Sequence, residues 1–187
     1  MTTRLLRACT ALSLLALIVP ATRAEGQTRT AAAGPSLNDP QIAHVAVTAN
    51  TIDVELAQVA LSRASSAEVR AFARTMVTDH TAVNEQAAAL AQRLGVTPQD
   101  NDVSRSLKDD AAQARRNLEG LRGAAFDRAY MDREVAYHQA VLDALDKVLI
   151  PGASNGELRA LLEQVRPAVA AHLDHAKQLR AKLGEGR

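Results

Sequence analysis

The chain contains very few aromatic residues and a single cysteine. It has two tyrosines, two phenylalanines and no tryptophan among its 187 residues. Its 22 basic residues are balanced by 21 acidic ones, so no strong positive charge is available to attract phosphates. Without that charge, and without aromatic side chains on which bases could stack, the sequence argues against a nucleic-acid partner.

The only cysteine, Cys9, falls in an N-terminal segment typical of a signal peptide. Arg4 and Arg7 precede an apolar run that ends at Val19, and Thr22 and Ala24 are small residues three and one positions before the expected cleavage site. Such a segment directs export, and its apolar run is too short for a permanent membrane-spanning helix. We therefore expect cleavage after Ala24 and a mature protein, without a transmembrane helix, in the periplasm or cell envelope.

Cleavage would divide the chain into a signal peptide at residues 1–24, a flexible segment at 25–37 and a helical domain at 38–184. The signal peptide holds three arginines and no acidic residue, so the remainder carries 19 basic and 21 acidic residues and a net charge of −2. The mature part also lacks cysteine. This excludes a disulfide, a thiol nucleophile and a cysteine metal site in the mature protein.

The mature part has the apolar periodicity of helices in four long segments. The stripe of the second segment consists of Val69, Phe72, Met76, His80, Val83, Ala87, Leu90 and Leu94. Capping boxes starting at Ser65 and Ser154 are expected to begin the second and the last helix. The pattern predicts an all-α fold, an antiparallel four-helix bundle with one shorter extra helix, Ser104 to Glu119, between helices two and three.

Ionisable residues interrupt these stripes where the core should be apolar. The third long helix has a predicted stripe of Met131, Glu134, His138, Val141, Leu145 and Val148. The last helix has a predicted stripe of Leu158, Leu161, Val165, Ala168, His172, His175, Leu179 and Leu183. A buried ionisable group costs free energy unless it is paired or bound. Four of the five histidines in the chain fall on stripes, and only His44 does not.

Distances along the helices predict that several of these residues meet. At about 1.5 Å of rise per residue, Glu134, His138 and His172 fall within roughly 10 Å of the level of His80. The candidate metal ligands are His80, Glu134, His138, His172, His175 and Glu55. Imidazole and carboxylate ligands that converge inside a helical bundle suit an iron, manganese, zinc or copper ion.

Three interpretations of the function remain open, since the sequence has no Gly-rich phosphate loop, no Gly-x-Ser-x-Gly elbow and no His-Glu-x-x-His motif. The first is an exported metal-binding protein that serves metal or stress handling. The second is a non-enzymatic envelope interaction protein whose core histidines and glutamate form a structural polar layer. The third is a di-metal oxidase or peroxidase, for which Asp53, Glu55 and Glu134 are the obvious carboxylates.

Four stretches of the chain resemble an exported bacterial family catalogued as domain of unknown function 4142. They are Asn50 to Leu61, Ala71 to His80, Gly123 to Met131 followed by His138, and Arg166 to Leu173. The resemblance covers Asp39 to about Leu183 and implies a ferritin-like fold of unestablished activity in the periplasm or envelope. Within the first stretch, Asp53 stands where the resemblance leads us to expect glutamate.

The resemblance singles out Asp79, His80, His138 and His172, whereas His175 looks peculiar to this chain. Ferritins carry Glu-x-x-His pairs on two helices. Here a valine precedes His80, His138 and His172 by three residues. This departure argues against a di-iron oxidase centre and favours a mononuclear or labile metal site.

Overall fold

The computed structural model describes residues 36–185, and within them it contains helices and no strand. The helices are α1 Asp39–Arg63, α2 Ala67–Leu94, α3 Asp102–Glu119, α4 Gly123–Ala144, a π-helical turn Leu145–Leu149, α5 Ile150–Gly152 and α6 Gly156–Glu185. The all-α prediction is confirmed. The predicted signal peptide, residues 1–24, lies outside the described residues, as do residues 25–35. No helix in the described part is long and apolar enough to cross a membrane.

Local signals in the sequence explain where α1 begins and where α2 ends. The side chain of Asn38 accepts a hydrogen bond from the backbone of Gln41 at 3.0 Å, and the side chain of Gln41 accepts one from the backbone of Asn38 at 3.1 Å. Pro40 occupies the first turn, where its missing N–H costs nothing. Gly95 ends α2 in the left-handed conformation, with φ of 64°.

The long helices run antiparallel to those they contact. A three-residue turn joins α1 to α2, and these two helices pack together, as do α4 and α6. Contacts also join α1 to α4, between Asp53 and Arg133 and between Ala49 and Tyr137. Further contacts join α2 to α6, between Asp79 and His172 and between Arg93 and Glu157. In both pairs of helices the residue number rises on one helix as it falls on the other. The shorter α3 packs against α1 and α4.

A polar layer divides the core into two apolar clusters. The first cluster includes Phe72, Met76, Phe126, Tyr130 and Met131, and the second includes Ile42, Leu142, Leu145, Leu149 and Leu162. Between them lie Asp53, His80, Glu134, His138 and His172, none of them more than 7% exposed. The four long helices all contribute to this layer, so their packing decides which polar groups meet.

The π-helical turn changes which residues face the core at the end of α4. Val148, which the stripe predicts to be buried, is 48% exposed, whereas Leu145 and Leu149 are buried. Each hydrogen bond in a π-helical turn spans five residues instead of four, so the side chains that follow are rotated relative to an α-helix. In α6 the stripe is displaced by one residue along much of its length, and the buried residues are Leu158, Leu162, Val169, His172, Leu173, Ala176 and Leu179.

Carboxylates from distant helices hold the starts of α2 and α6. Asp127 of α4 accepts hydrogen bonds from the backbone amides of Ser65 and Ser66 at 2.9 and 2.8 Å, and from the Ser65 hydroxyl. Asp39 of α1 likewise accepts from the two backbone amides that precede α6, at 2.7 and 2.9 Å. The amides at helix N-termini need such acceptors, and negative charge there also matches the helix dipole.

The same carboxylates explain why two predicted N-caps are wrong by one residue. Ser65 and Ser154 are engaged by Asp127 and Asp39 from outside their own helices. The helix that follows each is capped by the next residue instead: Ser66 accepts from Val69, and Asn155 accepts from Glu157 and Leu158.

We predict that Asp127→Asn destabilises the protein strongly. An amide at this position keeps the shape but supplies one acceptor oxygen instead of two, and its NH₂ group faces backbone donors. We expect the free energy of unfolding in urea to fall by about 2–3 kcal/mol, the usual range for buried hydrogen bonds to a charged group. The control is Asp132→Asn, because Asp132 is exposed and pairs only with Arg180 at the surface. Equal effects of the two substitutions would contradict the capping role.

Candidate metal centre

The polar layer brings side chains from four helices to one place. Asp53 comes from α1, His80 from α2, Glu134 and His138 from α4, and His172 from α6. Glu134 and His138 are four residues apart and therefore lie on the same face of α4. The helical spacing on each element, together with the antiparallel packing, turns separated sequence positions into a single cluster.

The three imidazole rings surround a common point. Their centroids are 5.7 Å apart between His80 and His138, 5.3 Å between His80 and His172, and 5.6 Å between His138 and His172. One nitrogen of each ring lies within 4.8 Å of a nitrogen of each other ring. One ligand atom each of Asp53, Glu134 and His138 meets the same limit, so the two groups share His138.

Each of the three rings is anchored by one of its two nitrogens. His80 Nδ1 is 2.7 Å from Asn50 Oδ1, His138 Nδ1 is 3.0 Å from the backbone oxygen of Glu134, and His172 Nε2 is 2.9 Å from Asp79 Oδ2. All three partners are acceptors, so in each neutral ring the anchored nitrogen carries the proton. The remaining nitrogen then has a free lone pair, which is the form that binds a metal.

The remaining ring nitrogens point to no protein partner. Among the described residues, buried side-chain atoms without a hydrogen-bond partner include His80 Nε2, His138 Nε2, His172 Nδ1, Asp53 Oδ2 and Glu134 Oε2. His80 Nε2 and Asp53 Oδ2 are 2.8 Å apart, but their directions do not make a hydrogen bond. Native cores rarely leave so many polar atoms unpaired in one place. Histidines that bind metals usually donate their other N–H to an acceptor, as these three do.

Arg133 lies beside the carboxylates and compensates their charge. Its guanidinium is 2.6 Å from Glu134 Oε1 and 3.5 Å from Asp53 Oδ1, and it stacks 4.2 Å from the centre of the Tyr137 ring. Tyr137 in turn donates a hydrogen bond to the backbone oxygen of Ala49 at 2.9 Å. A cation held in this way lowers the cost of burying two acidic groups.

The two buried carboxyl groups differ in their protonation. Burial raises the pKa of Glu134 well above its usual value, and the negative charge of Asp53 raises it further. Burial acts in the same direction on Asp53, but the His80 and His138 rings and the Arg133 guanidinium outweigh it and hold the pKa of Asp53 below its usual range. The pKa values of the two neighbouring carboxyl groups are therefore shifted in opposite directions, and Asp53 ionises more readily than Glu134.

Burial keeps two of the histidine rings, His138 and His172, in the neutral form that can bind a metal. Burial is the main reason that the pKa of His138 falls to about 4. Burial also lowers the pKa of His172. Both rings are therefore neutral at physiological pH. Three imidazoles together with a carboxylate fit the preferences of copper or zinc, and also accommodate iron.

Comparison with known proteins places the chain in a family. A family model described as domain of unknown function (DUF4142) matches residues 24–179. The chain belongs to the DUF4142 family. A solved structure of CopM in the Cu(II)-bound form has a similar fold, with a TM-score of 0.59 and 17% sequence identity over 78% of this DUF4142 chain and 98% of the CopM chain. No curated protein sequence matches the chain.

Of the six metal ligands predicted from sequence, the DUF4142 structure brings four together: His80, Glu134, His138 and His172. The other two lie outside the cluster. His175 is exposed, with its ring centroid 5.3 Å from that of Phe72, because Ala176 takes the buried position on α6. Glu55 is exposed because the buried face of α1 passes through its neighbours on either side.

Asp53 was expected only as a carboxylate of a di-metal centre and was not among the six candidate ligands, although in the DUF4142 structure it lies next to His80, His138 and Arg133. A signal was present, since Asp53 precedes Ala57 and Ala60 by four and seven residues and so shares a helical face with two small buried residues. Asn50 and Arg133 were also missed. Their roles depend on contacts between helices, and no spacing within one helix reveals those.

We predict that His138 makes the metal-free protein less stable in acid. Its folded pKa is about 4, below the 6.5 of an ordinary histidine, so the unfolded chain takes up this proton first as the pH falls. The free energy of unfolding is therefore highest above about pH 6.5 and falls towards pH 4, by up to about 3 kcal/mol. Glu134 acts with the opposite sign over part of this range, so the measurement is the difference between wild type and His138→Leu.

Unfolding in urea at a series of pH values should give a smaller acid-side loss for His138→Leu than for wild type. The matched control is His175→Leu, which changes an exposed histidine and should keep the wild-type profile. Identical profiles for all three proteins would contradict a buried neutral His138.

Proposed function

We propose that this DUF4142 protein is an exported metal-binding protein that holds one transition-metal ion, with Cu(II) preferred. His80, His138 and His172 supply three nitrogen ligands, and Asp53 supplies the oxygen ligand. The observation that carries the proposal is the set of unpaired inner nitrogens, each on a ring whose outer nitrogen is anchored to an acceptor. Glu134 has an auxiliary role beside Arg133 and can approach the ion through its second oxygen.

Copper is the preferred ion for two reasons. Sites built from nitrogen and oxygen ligands bind divalent copper more tightly than the other first-row ions, and imidazole is a favourable copper ligand. The structure of CopM, whose fold is similar, contains Cu(II). Iron, manganese and zinc are the competing ions.

Binding rather than catalysis is the proposed role. Asp53 and His138 are at most 1% exposed, and anchors fix the orientations of the three rings. Bound Cu(II) would supply positive charge and strong coordination bonds in this layer. The protein's own residues do the rest: Asp79 orients His172, Asn50 orients His80, and Arg133 keeps the acidic groups compensated when no ion is bound.

The location and architecture belong to the same proposal. The N-terminal segment has the features of a cleaved signal peptide, and the family match begins at residue 24, where cleavage is predicted. We propose a periplasmic or envelope-associated protein in which the four long helices form an antiparallel, ferritin-like bundle around the metal. The antiparallel contacts of α1 with α4 and of α2 with α6 support this topology.

A structural polar layer is the alternative function of the cluster. Arg133 already contacts both carboxylates, which favours a layer that sets helix register without a metal. Under this alternative, the protein binds none of Fe, Mn, Zn or Cu. Replacement of His80, His138 and His172 by leucine would then leave thermal stability unchanged or higher.

We predict one Cu(II) per chain in untagged protein loaded with copper and dialysed, measured by elemental analysis. Binding should also raise the free energy of unfolding, by about 2.7 kcal/mol when free copper is about 100 times the Kd. Both effects should disappear in the triple variant His80→Ala, His138→Ala, His172→Ala, because the nitrogen ligands are gone.

The control is the double variant Glu55→Ala, His175→Ala, which removes a carboxylate and an imidazole of the same kinds from exposed positions. It should retain one ion per chain and the full stabilisation. Retention of copper by the triple variant, or its loss from the double variant, would place the ion elsewhere. Absence of binding for all four metals would favour the structural layer.

A further inference from the structure

An apolar cavity of about 420 Å³ lies in the half of the core that contains the second cluster. Side chains from α1, α2, α6 and the end of α4 enclose it, and they include Val47, Val83, Leu145, Leu149, Leu162 and Val169. This volume is within the range of small-molecule sites, and the space between the helices of a bundle is a common place for them.

The cavity exists because the surrounding side chains are too small or too displaced to fill it. Alanines such as Ala46 on α1 and Ala87 on α2 face it and do not reach across. On the opposite side, the π-helical turn supplies Leu145 and Leu149, and π-helical turns often occur at functional sites. An apolar lining of this kind favours apolar occupants, because binding removes apolar surface from water.

The lining excludes charged ligands. Asp39 is the only charged residue in it, and its carboxylate is already engaged by the amides at the start of α6. No basic residue of the described chain lines the cavity to pair with a phosphate or a carboxylate. The occupant must therefore be uncharged.

The shape favours a single extended chain. Asp39 and Asn50 both line the cavity and are eleven residues apart on α1, so it extends about 16 Å along that helix. At this length, the volume leaves a narrow cross-section. A flexible hydrocarbon chain fills such a space better than a fused ring system does.

One end of the cavity is more polar than the rest. Asn50 and Asn84 lie at the end nearest the metal centre, and Asn84 Oδ1 is buried without a hydrogen-bond partner among the described residues. The Asn84 amide nitrogen donates to the Thr51 hydroxyl at 3.2 Å, which orients that oxygen. A neutral polar group on the occupant therefore fits this end of the cavity better than the apolar remainder.

We infer that the cavity binds one neutral aliphatic chain that carries a hydroxyl group, with the hydroxyl at the end lined by Asn50 and Asn84 and the hydrocarbon along Val83, Leu145 and Leu149. This site is separate from the proposed metal centre and does not require a bound ion. Only Asn50 belongs to both, since it anchors His80 and lines the cavity.

Titration of the purified protein with hexanol, octanol and decanol in a calorimeter tests this inference. The affinity should rise about fourfold for each added methylene group, equivalent to about 0.8 kcal/mol per buried CH₂, until the chain exceeds the cavity length. Ala87→Phe and Ala46→Phe fill the cavity and should each reduce decanol affinity at least tenfold. Thermal melts show which of these variants remain folded.

Ala89→Phe is the matched control, because Ala89 is exposed on the same helix and does not line the cavity. It should bind decanol as wild type does. The inference is overturned if affinity does not depend on chain length, or if Ala89→Phe and folded Ala87→Phe bind decanol equally. It is also overturned if sedimentation detects a dimer that Ala87→Phe dissociates, since a second copy would then cover the cavity.

Discussion

Five ionisable side chains buried in one layer are the constraint on which the rest of this structure depends. Taking such groups out of water is unfavourable unless charges and hydrogen bonds compensate them. Arg133, Asn50 and Asp79 provide part of this compensation and leave the inner nitrogens of three histidines unpaired. A bound cation would complete it. The layer forms only when all four long helices are in register. Asp39 and Asp127 help to fix that register, because each binds the backbone amides at the start of another helix.

The two halves of the core on either side of this layer differ in packing. Near the turn between α1 and α2, aromatic side chains such as Phe72, Phe126 and Tyr130 are fully buried against one another. In the other half, alanines and the π-helical turn leave the apolar cavity. The polar layer therefore has a densely packed side and a side that borders the apolar cavity.

Much of the fold, and the convergence of four of the six residues predicted as ligands, could be derived from the sequence, because helical periodicity identifies the buried face of each helix. The errors have local physical causes. His175 is displaced by its neighbour Ala176, and Val148 is rotated outward by the π-helical turn, which no single residue signals. Asp53 was missed because the buried face of α1 is wider than its apolar stripe and includes Asp53 as well. The anchors of the rings depend on contacts between helices, so they emerge only from the structure.

Anomalous diffraction from crystals of the copper-loaded protein, recorded on both sides of the copper absorption edge, tests the metal centre most directly. We predict one anomalous peak per chain among His80, His138 and His172, at about 2.0–2.1 Å from one nitrogen of each ring, the usual length of a bond from a divalent metal ion to histidine. A copper peak at His44, at His175 or at Glu55, with none inside the polar layer, would contradict the proposed centre.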